Sequence, residues 1–188
     1  MTNPQRIASG AFGLLLSACA SLPPSQIDPQ HWQMSGRIGL WQNQQQESGQ
    51  LSWLQCGNHY SKIRLTGPVG VGGAEIISTA DGASVDYRGE HHRAANAETL
   101  AADIGWPLPV SALRFWLRGQ AAPDAPLSAK LSASGQLSEL QQYGWHIQFS
   151  RHSDSTDALP KSIDARRDEL RLKLIIKTWR DAQQECQP

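Results

Sequence analysis

Residues 60–66 read Tyr-Ser-Lys-Ile-Arg-Leu-Thr, placing Ile63 and Leu65 on one parity and Lys62, Arg64 and Thr66 on the other. Side chains on an extended strand alternate between faces, so this period of two describes a strand with one face buried and one wet. The pattern recurs. Met34, Gly36, Ile38 and Leu40 alternate with Ser35, Arg37, Gly39 and Trp41. Leu51 and Trp53 share a face within residues 49–56, after a polar bend at 42–47. Leu170, Leu172, Leu174 and Ile176 oppose Arg171, Lys173 and Lys177, with Ile175 as the exception. Shorter runs at 74–79, 83–88, 90–94, 127–133, 136–142, 144–151 and 160–166 bring the count to about eleven strands joined by turns such as Asp81-Gly82. One-sided alternation in series predicts an antiparallel sheet, curved by its own twist.

The period changes once. Asn96 has the side chain of a helix N-cap, and Glu98 falls in the first turn, where the helix dipole favours an acid. Leu100, Ala101 and Ile104 then share a helical face up to Gly105. Trp106-Pro107-Leu108-Pro109 breaks the chain. A second helix over about 110–118 carries Leu113, Phe115, Trp116 and Leu117. The fold class is therefore mostly β with a helical insert at about 96–122, the helices covering the concave face of the sheet.

The first 18 residues have a different logic. Arg6 precedes a short apolar run at 7–16, too short to span a bilayer as a helix, which takes about 20 residues. Leu16-Ser17-Ala18-Cys19 follows. A basic start, an apolar run and small residues before a cysteine resemble a bacterial lipoprotein signal, in which Cys19 receives diacylglycerol and then an N-acyl chain. Residue 20 is Ala rather than Asp, which by the family sorting rule addresses the protein to the outer membrane, facing the periplasm. Residues 1–18 are thus the expected signal peptide. Residues 19–31, with Pro23, Pro24 and Pro29, are the lipidated N-terminus and tether; 32–180 the folded domain; 181–188 a polar tail.

The remaining composition narrows the chemistry. Seventeen basic and seventeen acidic side chains leave no electrostatic footprint for nucleic acid. There is no Gly-x-Ser-x-Gly elbow, no His-Glu-x-x-His and no phosphate-cradling loop, so neither an enzyme nor a cofactor is expected. His91 and His92 are adjacent on a strand and point to opposite faces, which argues against a shared metal ion. Cys56 and Cys186 stand outside any framework spacing; an oxidising compartment permits a bond between them without requiring one. Seven Trp against three Phe and three Tyr fit the filling of a core or the lining of a cavity, and composition favours the core. The loop Gly67-Pro68-Val69-Gly70 suits a turn with Val69 at its tip, either exposed or folded back.

The signal, the strand Trp32-x-x-x-Gly36-Arg37-Ile38-Gly39, the Gly67-Pro68-Val69-Gly70 loop and the segment Pro107-Leu108-Pro109-x-x-x-Leu113-x-x-Trp116-Leu117-x-Gly119 together resemble the LolB family of outer-membrane lipoprotein receptors, over about residues 32–179. The resemblance implies an incomplete antiparallel β-barrel under a lid of short helices, with an apolar cavity between. It implies that acyl chains of lipoprotein clients arrive from a LolA-type periplasmic carrier and pass into outer-membrane lipid, the chain acting as a monomer. It makes Pro68, Val69 and Gly70 a membrane-insertion loop, with Val69 where the family commonly has Leu. On alternation, the acyl-chain cavity is expected at Ile38, Leu40, Leu51, Trp53, Ile63, Leu65 and Ile76, with Leu113, Trp116 and Leu117 from the lid. The alternative is a structural outer-membrane lipoprotein with a solid core, acting in envelope assembly.

Overall fold

The computed structural model describes residues 27–67, 73–87, 89–123, 128–151 and 158–187. Among the described residues, eleven strands form a single antiparallel sheet. In chain order they are β1 His31–Gln42, β2 Gln45–Cys56, β3 Tyr60–Thr66, β4 Gly73–Thr79, β5 Gly82–Tyr87 and β6 Glu90–Ala94, then, beyond the helices, β7 Ser128–Leu131, β8 Leu137–Gln142, β9 Trp145–Ser150, β10 Ser162–Arg167 and β11 Leu170–Asp181. The helices are α1 Ala97–Asp103 and α2 Val110–Trp116.

The spatial order is β6-β5-β4-β3-β2-β1-β11-β10-β9-β8-β7. The first and last strands therefore pair at the centre, and the chain meanders from there to each edge. The insert between β6 and β7 leaves one edge of the sheet and rejoins it at the other. This connectivity carries the helices over the inner face, where α1 packs against β4, β5, β6 and α2. The sheet is open, ending at β6 on one side and β7 on the other.

Alternation is realised as rows of paired side chains across the inner face. Met34 lies opposite Trp53, which lies opposite Ile63, then Ile76 and then Val85, all at most 5% exposed. On the other half, Leu172 opposes Ala165, which opposes Ile147, which opposes Leu140, all fully buried. Each large aliphatic side chain removed from water in this way contributes about 1.5–3 kcal/mol. The outer face is held by charge pairs across strands: Glu75 of β4 with Lys62 and Arg64 of β3, and Asp164 of β10 with Arg171 of β11. The Arg171 guanidinium also lies over the Trp41 ring, 4.9 Å from its centroid.

Glycines in the first strand have steric reasons. A Cβ on Gly36 would collide with the carbonyl of Ile175, where the β1–β11 register shifts. A Cβ on Gly39 would strike the Trp41 ring, which lies across it on the outer face.

The structure departs from the alternation pattern in three places. Residues 42–47 are not a bend: only Asn43 and Gln44 turn, both at positive φ (48° and 66°), and β2 begins at Gln45. The turn type suits a two-residue hairpin, whose twist matches the strands. β11 likewise continues past residue 177 to Asp181. The segment beyond residue 180, expected as a polar tail, is tied down: Ala182 is fully buried, and Cys186 is disulfide-bonded to Cys56, 130 residues away.

Candidate functional site: an apolar cavity at one end of the sheet

The inner face is filled unevenly. On β2 the inward positions run Leu51, Gly49, Glu47 towards the β1–β2 turn, so large side chains give out at that end. Gly49 opposes Ile38, and its own Cβ position is occupied by the carbonyl of Thr66. The space left is a cavity of about 410 Å³, within the range of about 300–1,000 Å³ typical of small-molecule sites. Ile38, Leu40, Leu65 and Tyr87 line it from the sheet, and Trp106 and Leu108 line it from the segment between the helices. Tyr87 and Trp106 pack ring to ring at 5.8 Å between centroids. Glu47 is exposed on its lining, and Gly67 and Gly73 also border it.

Of the expected cavity residues, Ile38, Leu40 and Leu65 meet at this cavity. Leu51, Ile63, Ile76, Leu113, Trp116 and Leu117 are core residues, at most 5% exposed, and Trp53 borders a different, polar hollow. Tyr87, Trp106 and Leu108 line the cavity without having been expected there. Their signal was present: Trp106 and Leu108 sit in the Trp-Pro-Leu-Pro break, where apolar side chains follow no strand or helix period. Cys19 and Pro68, Val69 and Gly70 lie outside the described residues.

The insert is held by named polar contacts. Asn96 caps α1 by accepting from the Thr99 amide at 2.8 Å. Glu98 accepts from the Ser111 amide and so joins α1 to α2. Gln142 of β8 is buried and fully engaged: it accepts from Trp116 Nε1 at 3.0 Å and from the Ala122 amide at 2.9 Å, and donates to the Ala122 carbonyl at 2.7 Å. Gly119 turns the chain after α2 at φ +70°, and a Cβ there would meet the Arg151 guanidinium and Pro160. Arg151 donates to the Leu137 and Ala158 carbonyls at 2.6 and 3.0 Å, and burial pulls its pKa down from the ordinary arginine value.

The chain enters the sheet through a second set of contacts. Asp28 accepts from the amides of Gln30 and His31 at 2.6 and 3.0 Å and from Gln183 Nε2 at 3.0 Å. The Gln30 amide first, and then the Gln183 side chain, hold its carboxyl well below the usual range, at about 2. Arg118, just past α2, reaches the Ile27 and Asp28 carbonyls at 3.4 Å. Burial lowers its pKa, partly offset by the Asp28 charge.

Fold and site together define a class: an open antiparallel shell with a helical insert against its inner face and an apolar cavity at one end. A LolA superfamily protein from Nitrosomonas europaea has the same fold, with a TM-score of 0.53 over 85% of this chain and 90% of that one, at 12% identity. Sequence comparison is more specific. The family model for outer membrane lipoprotein LolB matches residues 30–179. The outer-membrane lipoprotein LolB of Stutzerimonas stutzeri is 31% identical, covering 97% of this chain and 98% of its own. Those of Francisella tularensis (37%; 79% of this chain, 73% of that) and Pseudomonas aeruginosa (35%; 85% and 78%) are similar over most of their length. The chain belongs to the LolB family.

Proposed function

We propose that this protein is a lipid-anchored receptor of the outer membrane that accepts lipoproteins by their acyl chains and places them in the membrane. The cavity lined by Ile38, Leu40, Leu65, Tyr87, Trp106 and Leu108 is the observation that carries this reading. It receives the chains from a LolA-type periplasmic carrier, and the helical insert acts as its lid. Moving acyl chains through water costs about 0.8 kcal/mol per exposed methylene, so direct hand-over between apolar cavities removes a prohibitive barrier. Direction needs only rising affinity from carrier to receptor to bilayer, each 1.4 kcal/mol giving about tenfold. Neither nucleotide nor catalysis is required.

The proposed insertion loop is consistent with the same geometry. Gly67 and Gly73, which flank residues 68–72, both border the cavity. A loop tip at Val69 that met the bilayer would bring the mouth of this cavity to the membrane. Burying a valine in lipid contributes about 1.5–3 kcal/mol, enough to guide the rim to the bilayer and too little to anchor the protein. Anchoring falls to the lipidated Cys19.

A photo-crosslinker at Leu65 tests the cavity, with the fully buried Ile147 as the control position. Adducts with an acylated lipoprotein are expected from Leu65 and not from Ile147; no adduct from Leu65 would sink the proposal. Val69→Glu is expected to leave acceptance from the carrier intact and to block membrane incorporation. Unchanged incorporation would remove the loop from the mechanism.

A further inference from the structure

A second cavity, of about 240 Å³, lies at the other end of the same strands, and its chemistry is different. The inner-face row Trp53–Ile63–Ile76 is apolar, but the next row outward is Gln55–Ser61–Ser78, three polar residues in register. Gln55 and Ser61 are buried, at 5% and 7% exposed. A polar row inside a sheet is costly unless its groups find partners. Gln55 has them: it accepts from Trp53 Nε1 at 3.0 Å and donates to the Gly57 and Tyr60 carbonyls at 2.7 and 3.3 Å. Ser78 does not. Its Oγ is buried without a hydrogen-bond partner, and so is Nε of Arg114, which reaches the same cavity from α2.

Among the described residues, Arg114 makes no ion pair; its guanidinium lies over the Phe115 ring, 4.7 Å from the centroid. Glu98 also lines the cavity, but it is engaged by the Ser111 amide. The buried groups without a partner are therefore the Arg114 guanidinium, a donor, and the Ser78 hydroxyl, which can donate; the His59 ring also lies on the lining. Donors without acceptors call for an acceptor ligand. One guanidinium with one carboxylate nearby disfavours a dianion such as phosphate. A planar guanidinium matches the two oxygens of a carboxylate.

We propose that this cavity is a binding site for a carboxylate, held by Arg114 and the Ser78 hydroxyl. The carboxylate could belong to a small organic acid or to an acidic residue of a polypeptide, and the test separates these sources. It does not depend on the apolar cavity at the opposite end.

The full chain in detergent micelles would be titrated with sodium propionate while its tryptophan fluorescence is followed. Sodium chloride at matched ionic strength is the reference, inorganic phosphate the second anion, and a short blocked peptide containing one Asp the third probe. Saturable binding of propionate is expected, weakened at least about tenfold in Arg114→Gln. Ser78→Ala removes only a hydroxyl and should also weaken it, with an unchanged circular dichroism spectrum. Binding of the peptide alone would keep the carboxylate and assign its source to a polypeptide. A response no different from chloride, a preference for phosphate, or binding that survives both substitutions would overturn the proposal.

Discussion

At the scale of single residues, Asp28 shows how strongly a few hydrogen bonds act. Its carboxyl, ordinarily near 3.8, titrates at about 2 because amide and Gln183 donors favour the charged form. A depressed folded pKa means the ionised form adds stability above the ordinary value, and that the contribution is lost as pH falls through 4 towards 2. Urea unfolding should therefore show Asp28→Asn to be less stable than the parent at pH 5, with the gap closing by pH 2. Gly119 makes a complementary case. Its φ of +70° and the crowding by Arg151 and Pro160 mean that Gly119→Ala should lose about 1–2 kcal/mol, read as a lower urea midpoint. The serine and arginine of the polar cavity were invisible to sequence, because nothing in a pattern of residue types says that Ser78 and Arg114, on different elements, will line one cavity.

The elements were largely legible. A period of two marks a half-buried strand because the pleat is two residues long, and Leu51, Trp53, Ile63 and Ile76 all fell on the inner face as alternation required. The helical insert was legible from Asn96 and from the change of period. What alternation cannot distinguish is a core position from a cavity wall, since both are apolar and inward. That difference depends on how far along the strand the helices reach: Ile63 is buried in the core they help close, and Leu65, two residues further on, borders the cavity. The β1–β2 turn was read too long, as a bend over 42–47, because Asn43-Gln44 contains no glycine to mark it, although both residues adopt left-handed conformations. The contact holding the insert was missed for a similar reason, since a lone Gln142 in a strand pattern reads as solvent-facing. Gln142→Leu would strand Trp116 Nε1 and both backbone groups of Ala122. At about 1–3 kcal/mol for each unsatisfied buried group, a loss of about 3 kcal/mol or more is expected. Hydrogen exchange should locate the loosening at α2 and Ala122.

For the whole molecule, the disulfide and the central pairing of the termini act together. Cys56–Cys186 closes a span of 130 residues beside the Trp32, Trp53 and Trp179 cluster, whose rings lie 5.9 and 5.3 Å from Trp32. Removing a native disulfide from a small exported domain typically costs about 2–5 kcal/mol. The pair Cys56→Ser and Cys186→Ser should fall in that range by urea unfolding. Acyl-chain crosslinking at Leu65, at the other end of the strands, should be unaffected.

The meeting of β1 and β11 at the middle of the sheet also has a mechanical meaning. Any tension on a membrane-anchored N-terminus would enter the domain just ahead of β1. Here the load enters at Asp28 and Arg118 and passes at once into β1, which is zipped to β2 on one side and β11 on the other along nearly its whole length. Force is thus borne by the longest ladders in the molecule. The edge strands β6 and β7 stay out of that line of tension.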